Sequence, residues 1–154
     1  MPKVSRSRTI GASVERVWDL VSDPHSLPRW WPRIMRVEDV EGKGERSRWT
    51  AVLETERGTG VRADYRCFGS TNRARFAWKQ DLDGTPFERI LRESRVEIQL
   101  EAEGVDTTQV RLSSEERLRG LSRLGSALMR GAIRRRLDEA LDGINLALVG
   151  EPGP

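Results

Sequence analysis

The sequence predicts an α+β domain in which a meandering antiparallel sheet packs on one long C-terminal helix. Three observations carry this. Between Ile34 and Leu118 apolar and polar residues alternate in successive runs, separated by Gly, Asn and Asp turn signals. From about Ser122 to Val149 the period lengthens to that of a helix, with Met129, Ile133, Leu137, Ala140, Leu141, Ile144 and Leu148 on one stripe. Ahead of the sheet, a first strand is followed by two short helical segments. At 154 residues the chain is long enough for one domain with a real core, placed at residues 1–150 with a tail at 151–154.

Taken in order, Lys3 to Ile10 reads as a strand that Gly11-Ala12-Ser13 stops. Ser13 is a good N-cap and Glu15 complements the helix dipole. Val14, Val17, Trp18 and Val21 recur at helical spacing, so a helix covers Ser13 to Ser22. Asp23 before Pro24 repeats the cap logic, and a second short helix runs from Pro24 to about Trp30, where Pro32 ends it. Six strands follow: Ile34 to Val40, Arg46 to Thr55, Gly60 to Phe68, Arg73 to Lys79, Phe87 to Leu100 and Thr107 to Leu118. One apolar and one arginine-rich face imply a sheet covered on one side. In the last helix Leu121, Leu124 and Leu128 fall nearly opposite the main stripe. The helix therefore starts or kinks near Gly125 and Gly131, or its first turns bury a second face.

Composition narrows the class. Charged residues make up 33% of the chain and hydrophobic ones 36%, so apolar surface is used economically. No window approaches the roughly 18 apolar residues of a membrane span. The N-terminus lacks an apolar secretory core. One cysteine, Cys67, and one histidine, His25, argue against a disulfide framework and a His/Cys metal site. No Walker loop or nucleotide-binding glycine pattern is visible, and no cofactor is expected. A reducing, cytoplasmic setting is expected. His25, beside Asp23 and Pro24, reads as solvated or capping, and Gly58-Thr59-Gly60 as a hairpin turn and not a phosphate cradle. Arg117 to Arg136 holds seven arginines and no acid, more than the net charge of +3. That run reads as solubilising surface or as an anion-facing patch. It contains no aromatic residue, so nucleic acid is not an expected partner.

The stretch Ile10-Gly11-Ala12-Ser13-Val14-Glu15-Arg16-Val17-Trp18 is similar to the first strand and capped helix of the START-like superfamily, also called SRPBCC or polyketide cyclase/dehydrase. Val21-Ser22-Asp23-Pro24 with Leu27-Pro28-Arg29-Trp30-Trp31-Pro32 resembles its second helix, and Arg135-Arg136-Leu137-Asp138-Glu139-Ala140-Leu141 its closing helix. The resemblance spans nearly the whole chain. It implies the helix-grip fold: a curved antiparallel seven-stranded sheet wrapped around the long C-terminal helix, with two short helices between strands 1 and 2.

The resemblance also implies an apolar cavity between sheet and helix. Candidate wall residues are Trp31, Trp49, Tyr65, Phe76, Trp78, Met129 and Ile133, each with plain core packing as the competing role. Adjacent helical residues diverge by about 100°, so Trp30 and Trp31 are expected to split between core and cavity. Arg92 and Ser94 share phase with Val96 and Ile98, Ser114 and Glu116 with Val110 and Leu112, and Arg130 falls between Met129 and Leu137. Buried charge needs a partner, so an Arg92–Glu116 or Arg130–Glu116 pair is one expectation. In that arrangement an arginine holds a ligand carboxylate or enolate while Glu116 or Tyr65 moves a proton. The other expectation is that these residues sit at strand ends and reach water.

Three functional readings follow. The first is a binding domain for a hydrophobic small molecule, lipid-like or of aromatic polyketide type, acting as monomer or homodimer. The second is a polyketide cyclase, aromatase or dehydratase using the cavity's polar groups. The third is an interaction module that meets an acidic partner or membrane surface through Arg117–Arg136.

Overall fold

The computed structural model describes residues 3–55, 58, 60–120 and 123–150. Leu121, the side chain of Leu124 and the tail at 151–154 lie outside it. Strand β1 (Lys3–Ile10) leads into helix α1 (Val14–Val21). The Ser13 hydroxyl caps α1 by accepting from the Arg16 amide at 3.3 Å. The Asp23 carboxylate accepts from the His25 amide at 3.0 Å and starts a 3-10 turn, Pro24–Ser26, which runs into the single turn of α2 (Leu27–Trp30). Then come β2 (Ile34–Glu41), β3 (Arg48–Glu54), β4 (Gly60–Thr71), β5 (Arg75–Asp81), β6 (Leu91–Gly104), β7 (Thr107–Leu118) and helix α3 (Arg123–Leu148).

The seven strands form one antiparallel sheet in the order β1-β7-β6-β5-β4-β3-β2. Edges β1 and β2 are neighbours in sequence but stand at opposite ends of the sheet. The first two helices bridge them. Irregularities in β2–β3, β4–β5 and β6–β7 add twist where they occur.

Several strand bounds differ from the sequence reading, most at β4 and β6. β4 runs on through Gly69 because Phe68 is an extra, unpaired residue between the Cys67↔Trp78 and Gly69↔Ala77 pairs. β6 starts at Leu91, since Pro86 opens a 3-10 turn over Pro86–Arg89. It extends to Gly104 because its polar end pairs with the start of β7.

The inner face of the sheet holds the core. Ile10, Val17, Phe76, Ile98, Val110, Leu112, Ile133, Leu137, Leu141 and Ile144 are fully buried. The outer face carries ion pairs between neighbouring strands: Arg66 and Arg48 on Asp81, Arg75 on Glu97, and Arg95 and Arg117 on Glu115. α3 runs unbroken from Arg123 to Leu148, with Leu128 exposed, so Leu128 buries no second face. No described helix is long and apolar enough to cross a membrane.

α3 packs on β1, β7 and α2. The α2 contact is the tightest. A Cβ built on Gly143 would lie 2.3 Å from the carbonyl oxygen of Trp30 and 2.8 Å from its Cα, whereas one on Gly131 would meet nothing within 4 Å. Two substitutions on one helix should therefore act with opposite sign. Gly131→Ala should raise stability by about 0.5–1 kcal/mol, because alanine restricts the unfolded chain and favours helix. Gly143→Ala should lower it by about 1–3 kcal/mol, because a backbone must move to admit the methyl. Chemical denaturation of the two variants beside the parent chain checks both signs.

Candidate functional site

Between α3 and the strands farthest from it lies a cavity of about 630 Å³. Seven strands span about 29 Å across the sheet, while a helix with its side chains is about 10–12 Å wide. One helix cannot cover the inner face. Because α3 lies against β1 and β7, the uncovered part is the β3–β6 half.

The walls are aromatic. Trp31 comes from the α2 corner, Trp49 from β3, Tyr65 from β4 and Trp78 from β5, with Leu27, Ile34, Phe87, Leu91 and Val96 filling between them. The rings form a continuous network. Trp31 meets Trp78 edge-on at 5.5 Å between centroids, Trp49 meets Trp78 at 6.0 Å, and Trp49 stacks on Tyr65 at 6.1 Å. Trp30 joins from below, edge-on to Trp31 at 5.6 Å. It is itself buried, while Trp31 is half-buried and reaches the cavity. The two indoles therefore have different surroundings; Trp31 is the extended residue that caps α2, so the helical divergence expected between them does not apply.

The α2 corner is held by an unusual residue. Arg33, on the cavity wall, adopts φ +64, a region that non-glycine residues seldom occupy. Its carbonyl accepts the Glu54 amide at 2.8 Å, which ties the Trp31-Pro32 turn to the end of β3.

The polar groups facing the cavity are Tyr65, Gln80, Ser94, Glu116 and Arg136. Glu116 is 8% exposed, and one of its oxygens accepts from an Arg136 guanidinium nitrogen at 2.7 Å. Burial pushes the Tyr65 phenol up to about 12; Arg136 nearby pulls it down and Glu116 pushes it further up. Tyr65 is half-buried at the cavity wall, and those surroundings disfavour the phenolate. Tyr65 is a protonated donor at neutral pH. The indole Nε1 of Trp49 and the amide Nε2 of Gln80 are buried and have no acceptor among the described residues. The rim carries Arg33, Glu54, Ala132, Arg135 and Glu139, all exposed.

Of the residues expected at the site, Trp31, Trp49, Tyr65, Trp78 and Glu116 line the cavity. Five do not. Phe76 is buried below the floor, 6.3 Å from Trp49 and 6.0 Å from Trp78 between centroids. Ile133 is fully buried in the core and Met129 packs against it. Arg92 is exposed near the start of β6, and Arg130 is exposed on α3. The partner of Glu116 is Arg136 and neither Arg92 nor Arg130, because position 136 lies beside the Ile133–Leu137 stripe on the cavity side, in line with Ala132 and Glu139. Gln80 and Arg136 were not among the expected site residues. Gln80 shares strand phase with Phe76 and Trp78, which was the available signal. Cys67 is buried, and burial raises its thiol above the ordinary range, so it is a poor nucleophile at neutral pH. The His25 ring lies 3.0 Å from the Asp23 carboxylate, exposed and away from the cavity lining.

Of the arginines in 117–136, the side chain of Arg123 lies outside the described residues. Arg117 and Arg136 are held by carboxylates and Arg119 by the Glu88 carbonyl, while Arg130, Arg134 and Arg135 stand exposed along α3.

No curated protein matches the chain. Solved structures share its fold at low identity. A START superfamily protein from Mycobacterium smegmatis superposes with a TM-score of 0.76 at 14% identity, covering 95% of this chain and 96% of that one. The di-domain aromatase/cyclase BexL of the BE-7585A biosynthetic pathway gives 0.78 at 22% identity over 99% of this chain, which spans 48% of that protein. The ZhuI aromatase/cyclase from Streptomyces sp. R1128 gives 0.73 at 16% identity, covering 93% and 90%. These likenesses establish the START-like helix-grip fold. The family model described as polyketide cyclase / dehydrase and lipid transport matches residues 1–148, and the chain belongs to that family.

Proposed function

We propose that the protein binds a hydrophobic, aromatic small molecule in the cavity between the sheet and α3. The observation that carries this reading is the ring wall: four aromatic side chains from four elements meet around a space of about 630 Å³. Ligand pockets of about 300–1,000 Å³ with apolar walls and few polar groups are the usual form of small-molecule sites. The ligand enters past the charged rim and lies against Trp31, Trp49 and Trp78. A reduced, buried Cys67 suits a cytoplasmic setting.

The second reading is a cyclase- or dehydratase-type enzyme, the activity named for two of the structural neighbours. The groups available for it are Tyr65 as a proton donor and the Glu116–Arg136 pair as a fixed dipole. A base role for tyrosinate is disfavoured by the burial of the phenol.

Two measurements test these readings. N-phenyl-naphthylamine, a neutral aromatic whose emission rises in apolar surroundings, should bind at one site with an affinity that barely changes with salt. Trp31→Ala should weaken it about tenfold, since an aromatic contact contributes about 0.5–1.5 kcal/mol beyond its buried area. No binding would sink the proposal, and steep weakening with ionic strength would favour the exposed arginines instead. Ultraviolet titration reads the chain's one tyrosine, Tyr65, directly. Its phenolate should form near pH 12 in the folded protein against about 10 when unfolded. The sign follows from that: the stabilisation is complete below pH 10 and is lost as the pH climbs toward 12. A midpoint near or below 10 would restore tyrosinate as a candidate base.

A further inference from the structure

The outer face of the sheet carries a second hollow, a groove of about 340 Å³ that crosses β1, β7, β6 and β5. The strand register explains its shape. Ser5, Ser113, Glu97, Ala77 and Gly69 stand opposite one another in a single row from β1 to β4. All but Glu97 are small, so the row forms a floor. Two residues to either side the side chains are long. Lys3, Glu115 and Arg95 make one wall, and Arg111, Gln99 and Arg75 make the other. The Phe68 ring stands at the β4 end, 5.8 Å from the Arg75 guanidinium.

Most of the charge here is already matched. Arg75 holds Glu97 at 3.2 Å, Arg95 holds Glu115 at 2.6 Å and Arg117 holds Glu93 at 3.2 Å. Elsewhere on this face Arg48, Arg62 and Arg66 hold carboxylates too. Lys3 and Arg111 are the exceptions. Both are exposed, and neither side chain has a hydrogen bond or ion pair among the described residues. A hydroxyl pair lies between them, with the Ser5 and Ser113 oxygens 2.8 Å apart. One hydroxyl donates to the other, so the second keeps its hydrogen for a further acceptor. Lys3 and Arg111 stand two residues to either side of that pair, about 7 Å along the strands and within reach of both long side chains.

We propose that this groove is a second binding site, for a phosphomonoester whose phosphate sits over the Ser5–Ser113 hydroxyls between Lys3 and Arg111. Such a phosphate carries about −1.5 to −2 charge at pH 7 and three acceptor oxygens. That matches two free cations and one spare hydroxyl hydrogen. A carboxylate or a sulfate ester carries a single charge and leaves one cation unanswered. The remainder of the ligand lies along the small floor toward Phe68. The groove is on the opposite face of the sheet from the cavity, so the site does not depend on what the cavity binds.

Phenyl phosphate and phenyl sulfate, two probes of one shape, test this at pH 8 by amide-resolved NMR titration of the whole chain. Phenyl phosphate should move the amides around Ser5 and Ser113 and should bind several-fold more tightly than phenyl sulfate, with both weakening as salt is added. Lys3→Ala and Arg111→Ala should each weaken phenyl phosphate about three- to tenfold, the range for charge-assisted contacts at an exposed site. Arg130→Ala, which removes an exposed arginine outside the groove, should change nothing. Thermal unfolding confirms that the variants are folded, and if one is not, the other carries the comparison. Glycerol phosphate and a phosphoserine tripeptide then separate two sources of the same group. Tighter binding of the first assigns a free metabolite, tighter binding of the second a phosphorylated protein, and equal binding recognition of the phosphate alone. No binding of phenyl phosphate at low salt, phenyl sulfate binding as well, shifts centred away from Ser5 and Ser113, or Arg130→Ala costing as much as Arg111→Ala would each overturn the site.

Discussion

The fold turns on a contact that exists because a side chain is missing. β1 and β2 are the two edges of the sheet and never pair. What links the two edges is the approach of α2 to α3 at Gly143, where the Trp30 backbone fills the space of a Cβ. α3 is anchored to the β1 side by its packing and by ion pairs from Arg6 to Asp138 and Arg8 to Asp142, while α2 leans on β2. The two edges of the open sheet are therefore linked through a helix–helix contact rather than through strand pairing. A glycine in a helix interior costs about 1 kcal/mol against alanine, and here that cost is offset by burying Trp30 and fixing the corner that follows it.

Fixing the corner also decides where the cavity is. With Trp30 pinned under α3, Trp31 turns toward the uncovered half of the sheet and meets Trp78. All five tryptophans of the chain join the same ring network, through Trp18 on Phe76 at one end and Trp31 at the other. The two faces of the sheet are held by different physics. Inside, apolar burial dominates. Outside, arginines and carboxylates alternate between strands. Exposed pairs of that kind contribute little each, but they let a chain with 33% charged residues present a solvated outer surface without burying unpaired charge.

The fold was largely legible because its signals are local. Caps at Ser13 and Asp23, alternation within each strand and the stripe from Met129 to Leu148 depend on neighbours in sequence, and each names an element without help from the rest. The site was legible only in part. Strand phase marks Trp49, Tyr65, Trp78 and Glu116 as inward-facing, yet phase alone cannot say how deep a residue lies. Phe76 has the same phase as Trp78 and ends below the floor. Arg92 has the phase of Val96 but lies where β6 emerges into solvent. Arg136 hid within an arginine run whose members look alike in sequence, and only its position beside the buried stripe of α3 sets it against Glu116.

Depth is set by register, and the register of the central strands is set by one residue. Near the β4–β5 hairpin the pairs are Thr71↔Arg75, Ser70↔Phe76 and Gly69↔Ala77; above Phe68 they become Cys67↔Trp78 and Tyr65↔Gln80. Had the hairpin register continued without the extra residue, Tyr65 would stand opposite Asp81, which lies on the outer face with Arg48 and Arg66. A shift of one residue reverses every side chain beyond it, so Tyr65 would leave the cavity. Phe68 bears the consequence: it is unpaired and partly exposed, its ring lying 5.8 Å from both the Arg75 guanidinium and the Lys79 ammonium. A bulge that leaves an aromatic ring on the outer surface is thus what places the phenol between the Trp49 indole and the Gln80 amide.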